Sequence, residues 1–148
     1  MLKRALFLIG YFFSLQLYAF PCFITLVKDD CWTNYDLTVD VKNASTGKVV
    51  VSIIVPQGQS WTRQSFACQP KDRLSLEAAF TPIIWASDAG VKYAAKHDRI
   101  LPDAITAGDT AWNINICYSD EFNNVPVPPE SNGHCKCSLE NIPAIPPQ

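Results

Sequence analysis

The chain has 148 residues and a formal net charge of −2 at pH 7. This length suits one domain and is enough to bury a hydrophobic core. The slightly acidic balance, with no block of basic residues, argues against nucleic acid as a partner.

The amino terminus has the three parts of a secretory signal peptide. A short basic start precedes an uncharged stretch over 5–18, and Ala19 offers a small residue for cleavage. The competing interpretation is an uncleaved membrane anchor, because the uncharged run continues far enough to span a bilayer. Pro21 and the β-branched residues after it argue against one continuous helix. We expect 1–19 to be a cleaved signal peptide, with membrane contact only if it stays uncleaved.

The cysteine count agrees with export. All six cysteines follow the expected cleavage point: Cys22, Cys31, Cys68, Cys117, Cys135 and Cys137. An even number of cysteines in an exported chain indicates a set of disulfide bonds. We therefore expect three disulfides in a protein that is secreted or periplasmic. Six cysteines allow many pairings, and Cys31–Cys68 is the bridge that we favour within the body of the domain.

Strand patterns dominate the first half of the mature chain. Residues 22–28 form a β-branched and aromatic run, and 35–41 alternate between apolar and polar side chains, the period of a strand with one wet face. Residues 48–55 are apolar on both faces, which predicts a strand in the centre of a sheet. The alternation returns at 60–68 and at 72–80. Five strands are therefore expected in this half.

The second half is less regular until its last strand. Residues 82–87 and 91–95 flank a turn sequence, Asp-Ala-Gly, and this pattern predicts a hairpin. Asp103 is placed to cap one helical turn that ends at Gly108. Residues 110–118 have the clearest alternation in the chain, which predicts a strand with one apolar face.

Seven to eight short strands with turns between them predict a mainly β fold. The expected architecture is an antiparallel β-sandwich, Ig-like or jelly-roll-like, over 20–122, and a β-barrel is the alternative. The last 26 residues hold six of the eleven prolines. Proline donates no main-chain hydrogen bond to a sheet. We therefore expect 123–148 to be an extended, proline-rich tail that is packed on the domain through disulfides.

A histidine and two cysteines stand close together in this tail, in the sequence Asn-Gly-His-Cys-Lys-Cys. A structural zinc site usually draws its ligands from two closely spaced pairs, and the chain has no second pair. A redox site would need Cys-x-x-Cys at the start of a helix. Cys135 and Cys137 are two apart, so in an extended segment they face opposite sides and are expected to bond to different partners. We favour Cys117 for one of them, and we expect no metal site and no cofactor.

Little in the sequence points to catalysis, and no catalytic residue is assigned. The chain has two histidines, His97 and His134, and it lacks a nucleophile elbow and a metalloprotease motif. The acid pairs Asp29-Asp30 and Asp120-Glu121 are near strand ends, where we expect solvated turn residues. A hydrolase that uses two carboxylates would need them in a cleft, for which a small sandwich leaves little room.

The tryptophans carry the binding hypothesis. Trp85 and Trp112 lie in apolar strands and are expected in the core. Trp32 and Trp61 lie in or beside polar loops, where tryptophan can stack on a sugar ring or hold a partner protein. Aromatic residues are commonly buried in small domains, so packing over a disulfide or a sheet end is favoured for these two, and an exposed binding site is the hypothesis set against it. The predicted binding residues are Trp32, Tyr35, Trp61 and Arg63.

Together these patterns predict an exported protein that acts by binding, with a protein as partner and a glycan as the second choice. A small carboxylate-dependent hydrolase is one alternative, and a structural subunit that assembles through an exposed edge strand is another. A binding protein requires an exposed aromatic patch, a hydrolase two carboxylates that face a pocket, and an assembly subunit a long unpaired edge.

Overall fold

The computed structural model describes residues 19–148, so the expected signal peptide lies outside the described residues except for Ala19. Eight strands and two short 3₁₀ helices form in this part of the chain. The strands are β1 (Phe20–Lys28), β2 (Asp36–Asn43), β3 (Val49–Val55), β4 (Trp61–Cys68), β5 (Arg73–Thr81), β6 (Tyr93–Ala94), β7 (Arg99–Ile100) and β8 (Trp112–Tyr118). The 3₁₀ helices are Asp30–Trp32 and Ala86–Asp88. None of the helices within 19–148 has the length and apolar character needed to cross a membrane.

The strands form two sheets that pack against each other, which confirms the predicted mainly β sandwich. One sheet has three strands in the order β4-β1-β8, and the other has the order β3-β2-β5-β6, with β7 also paired to β5. All of these pairs are antiparallel except β1 with β8, which run parallel. β1 is therefore the central strand of the smaller sheet, with β4 on one side and β8 on the other.

The core lies between the two sheets and follows the predicted alternation. Strands β2, β5 and β8 turn every second side chain inward, as the period of two requires. The buried apolar residues of these strands and of β1 include Ile24, Leu26, Leu37, Val39, Val41, Leu74, Leu76, Ala78, Phe80, Ile116 and Tyr118. Burial of one large aliphatic or aromatic side chain stabilises the fold by about 1.5–3 kcal/mol, so this layer is the main source of stability.

The prediction that 48–55 runs through the centre of a sheet is wrong. β3 is the end strand of its sheet and pairs with β2. Ile53 and Val55 point into the core, while Val49 and Ile54 are 51% and 53% exposed. A strand that is apolar on both faces can be central or at an edge. Its side chains do not determine whether its main chain is paired on one side or on both.

The predicted hairpin over 82–95 is also wrong. Its first arm forms no strand; a 3₁₀ turn follows Trp85, and the Asp88 carboxylate accepts a hydrogen bond from the Trp85 amide at 3.0 Å. Trp85 is 60% exposed and does not belong to the core. Trp112 does pack against the core, as expected. Tyr93 and Ala94 pair with β5 instead.

No helical turn forms after Asp103. The Asp109 carboxylate accepts bonds from the amide and the hydroxyl of Thr106, at 2.9 and 2.8 Å, and so organises this loop as a tight turn. A side chain at the end of this loop thus bonds to its main chain, and the residues after Asp103 form a turn in place of a helix.

All six cysteines form disulfides, as predicted: Cys22–Cys68, Cys31–Cys135 and Cys117–Cys137. The two tail cysteines bond to different partners, and Cys117 is one of these partners, which confirms both predictions. The favoured pair Cys31–Cys68 is wrong. The register of β1 and β4 places Cys22 close to Cys68, whereas the turn after β1 carries Cys31 toward the tail. Three disulfides fit an oxidising, extracellular environment.

Candidate functional site

The structure separates the four residues that were predicted to bind a partner. Trp61 and Arg63 lie partly exposed on the outer side of β4. Trp32 is completely buried, and Tyr35 is only 7% exposed. The expected surface patch of Trp32 with Trp61 therefore does not exist, and the expectation that Trp32 lies at the surface is wrong.

Trp32 is buried because a 3₁₀ turn folds its ring back over the end of the sandwich. Asp29 caps this turn through its side chain, which accepts a bond from the Cys31 amide at 3.0 Å. The centroid of the Trp32 ring then lies 4.7 Å from the ring centroid of Phe80 and 4.9 Å from that of Tyr118. Such aromatic pairs stabilise a core beyond the area that they bury. Trp32 is thus a structural residue.

The outer side of the three-stranded sheet carries a row of hydrogen-bonded polar side chains. Thr25 of β1 lies opposite Arg63 of β4 and Asn115 of β8 in the register. The Arg63 Nε donates to the Thr25 hydroxyl oxygen at 2.8 Å, and that hydroxyl donates to the Asn113 side-chain oxygen at 3.0 Å. The Asn113 amide group donates in turn to Asn115 at 2.9 Å. The row links all three strands and holds the Nε of the Arg63 guanidinium in place.

Trp61 lies beside this row. It is two residues before Arg63, so both side chains leave the same face of β4. The guanidinium carbon is 5.5 Å from the centroid of the Trp61 ring, which is the range of a cation–π interaction. We call Thr25, Trp61, Arg63, Asn113 and Asn115 the Arg63 face.

The end of the chain crosses the Arg63 face. The Arg63 Nη2 donates to the carbonyl of Pro143 at 2.7 Å, and Nη1 donates to that of Ala144 at 3.3 Å. A groove of about 170 Å³ lies between the polar row and residues 139–145. Ile142 and Ile145 are half-buried there. Arg63 thus bonds to the main-chain carbonyls of two consecutive residues of the tail.

The chemistry of the Arg63 face suits recognition of a peptide main chain. A guanidinium has five N–H donors in a planar fork and stays charged at any ordinary pH. Here one nitrogen is held by Thr25, while the other two point at carbonyl oxygens. The residues of this face include no carboxylate, histidine or thiol, so they supply no general base.

The sequence-based reasoning missed Thr25, Asn113 and Asn115. The alternation of 110–118 places the two asparagines on the face opposite Trp112, which was a usable signal for a polar outer row. Thr25 offered no such signal, because it is a single polar residue in an apolar strand.

A second cleft opens between β5 of one sheet and β8 of the other. It has an apolar floor of Leu76, Ala95 and Ile116, encloses about 220 Å³, and has a charged rim formed by Lys96, His97, Arg99, Asp120 and Glu121. Glu121 forms an ion pair with Arg99 and accepts a bond from the Cys117 amide at 2.5 Å. Its carboxylate therefore closes the turn after β8.

The acid pair at the end of β1 does not behave as predicted. Asp29 is buried at 3% exposure and accepts bonds from Ser119 as well as from Cys31, so it is not a solvated turn residue. Asp30 is exposed and accepts a bond from the Lys136 amide of the tail at 2.9 Å. Asp29 also lies within 4.8 Å of the sulfurs of Cys31 and Cys135. These sulfurs are bonded to each other and offer no thiolate to a metal.

No protein-family model matches the chain, and no curated protein is significantly similar to it. The function is therefore inferred from the chemistry of the described surface.

Proposed function

We propose that this protein is exported through a cleaved signal peptide, 1–19, and acts as a secreted or periplasmic protein that binds another protein at the Arg63 face. The three disulfides support a place of action outside the cytoplasm. The apolar stretch over 5–18 supports the signal peptide.

One observation carries the choice of surface. Arg63 binds the carbonyls of two consecutive tail residues while Thr25 and Trp61 hold its guanidinium in place. A side chain that is already oriented loses less entropy when it binds, which favours affinity. Arginine and tryptophan are also the residues that most often dominate binding energy at protein interfaces.

Site-specific crosslinking tests this proposal. Ser65 is exposed and leaves the same face of β4 as Arg63, so a photo-crosslinking residue there would report a protein bound to the face. In the native exported fraction we expect one dominant adduct, whose yield falls about tenfold or more with Arg63→Ala, because charge-assisted hydrogen bonds are lost.

Arg73→Ala is the matched control. Arg73 lies on the other sheet, where it pairs with Asp98 at 2.8 Å, and its side chain is 59% exposed. Its loss should leave the adduct unchanged. An adduct that forms equally well without Arg63 would remove the Arg63 face from consideration.

Assembly through an edge strand is the second candidate, because β3 ends its sheet and exposes Val49 and Ile54. An apolar edge can add a strand from a second chain. If this is the function, sedimentation should show an oligomer that dissociates with Ile54→Lys. Ser52→Lys, on the same exposed side of β3, should have a weaker effect, and a monomer at every concentration would exclude this candidate.

A further inference from the structure

We propose that residues 138–148, the terminal segment, occupy the Arg63 face in place of the partner. The face would then bind a proline-flanked apolar segment of a partner protein, and the terminal segment must leave before that partner binds. This inference rests on the proposed function and adds the chemical class of the partner and a means of regulation.

The terminal segment is attached differently from the rest of the tail. Residues 123–137 are held by two disulfides, and the main chains of Asp30 and Lys136 bond at 3.2 Å. Tyr35 also donates to Glu130 at 3.2 Å. Beyond Cys137 no covalent link follows in the described residues.

The terminal segment has few bonds to the domain. Within 19–148, its hydrogen bonds to the sandwich are the two that Arg63 donates to Pro143 and Ala144. The other bonds of the segment are internal, such as that from the Ile142 amide to the Leu139 carbonyl at 3.2 Å. A segment with few buried contacts and exposed hydrogen bonds opens at low free energy. It can therefore exchange with a competitor while the disulfides keep 123–137 in place.

The contacts of the terminal segment with the Arg63 face indicate what kind of partner peptide could replace it. Arg63 requires two consecutive carbonyls, and the half-buried Ile142 and Ile145 show where apolar side chains fit. Prolines at 143, 146 and 147 fix the backbone angle φ at these positions and so lower the entropy cost of ordering the segment. The face supplies donors and the proline-rich main chain supplies acceptors, so the two are complementary. The expected ligand is thus a peptide with apolar residues on both sides of a proline.

Cleavage of the folded chain tests this inference without a truncated protein. A protease site is placed at Ser138, and the protein is cleaved only after folding and oxidation, so all three disulfides remain. The freed fragment is removed by gel filtration. A labelled peptide of residues 138–148 is then titrated into the cleaved protein and followed by fluorescence anisotropy.

We expect the peptide to bind the cleaved protein saturably. The affinity of the peptide should be at least about tenfold lower for the uncut chain, in which the Arg63 face is already occupied. It should be lower by a similar factor for cleaved Arg63→Ala protein. Cleaved Arg73→Ala protein should bind like the wild type. Arg63→Lys replaces Arg63→Ala if the latter does not fold, because lysine keeps the charge but cannot make the forked contact. Crosslinking of the partner at Ser65 should rise after cleavage.

Four results would overturn the inference. The fragment could stay bound through gel filtration, or the peptide could bind equally well without Arg63. The uncut chain could dimerise in an Arg63-dependent manner, which would make a second copy the occupant. Finally, the cleaved protein could bind no peptide; if it still forms the Ser65 adduct, the proposed function stands and only the role of the terminal segment is wrong.

Discussion

The carboxylate of Asp29 binds both the main-chain amide and the hydroxyl of Ser119, at 3.0 and 3.2 Å. The Asp29 amide donates to the Tyr118 carbonyl at 2.6 Å. These bonds join the ends of β1 and β8, which are parallel neighbours. Asp29 also caps the turn that carries Cys31 and Trp32. One buried acid thus connects the smaller sheet, the aromatic core and the turn that holds the tail.

We predict that Asp29→Ala lowers the free energy of unfolding by about 2–4 kcal/mol, because three partly buried donors lose their acceptor. Urea denaturation with the disulfides intact measures this loss. Asp103→Ala removes an exposed acid and should change stability by less than about 0.5 kcal/mol. Equal effects of the two changes would mean that the Asp29 network contributes nothing to stability.

Trp32→Ala should destabilise the protein by about 3–5 kcal/mol, since a completely buried aromatic side chain leaves a large cavity. Trp85→Ala should have little effect, because Trp85 is 60% exposed. Thermal unfolding of the two variants beside the wild type separates these cases. A larger loss from Trp85 than from Trp32 would contradict the structure of both loops.

Alkaline pH should destabilise the fold. Burial raises the pKa of Tyr35, Tyr93 and Tyr118, and the hydrogen bond to Glu130 raises that of Tyr35 further. An unfolded tyrosine loses its proton near pH 10. Above that pH the folded state holds more protons than the unfolded one, so stability falls as pH rises toward the folded pKa values.

The absorbance of tyrosinate after a pH jump measures this effect. These three are the tyrosines of the described residues, so folded mature protein should show little tyrosinate near pH 10 and should form it together with unfolding. Tyr35→Phe should reduce the slope of stability against pH in this range. Full ionisation near pH 10 without unfolding would refute the burial of the tyrosines.

The two tail disulfides should differ in their effect on stability. Cys31–Cys135 closes a loop of 104 residues and Cys117–Cys137 one of 20. In the chain-entropy model the longer loop contributes about 5 kcal/mol and the shorter one about 3 kcal/mol. Paired alanine variants and urea denaturation test this order. Equal losses of stability, or a larger loss for Cys117–Cys137, would show that strain or residual structure in the unfolded chain dominates.

Export should leave a mature protein that begins at Phe20. β1 begins at Phe20, and the ring centroids of Phe20 and Trp112 are 4.6 Å apart. Cleavage after Ala19 therefore leaves every strand intact. Intact-mass measurement of the exported protein decides the cleavage point. A mass that includes 1–19 would exclude the signal peptide.

Local patterns determined the β-sandwich. The alternation of β2, β5 and β8 correctly separated buried from exposed side chains, because a strand turns successive residues to opposite faces whatever its neighbours are. The pairing of Cys135 and Cys137 with different partners followed from the same geometry. Export, by contrast, remains a prediction from the first nineteen residues.

The positions of single residues between the strands were decided by tertiary structure. Trp32 and Trp85 both lie at 3₁₀ turns, yet one is buried and the other exposed, since only the turn at 30–32 folds its tryptophan onto the core. Strand order placed β3 at an edge although its sequence is apolar on both faces.

The Arg63 face shows most clearly which features follow from local sequence and which follow from tertiary structure. Arg63 and Asn113 are separated from Thr25 by 38 and 88 residues, and they meet because β1 lies between β4 and β8. The sequence by itself determined that Arg63 lies on a strand with a wet face. Only the tertiary structure decided which side chains lie beside Arg63 and that residues 143 and 144 bond to it, because contacts between distant parts of the chain are not encoded in any local pattern.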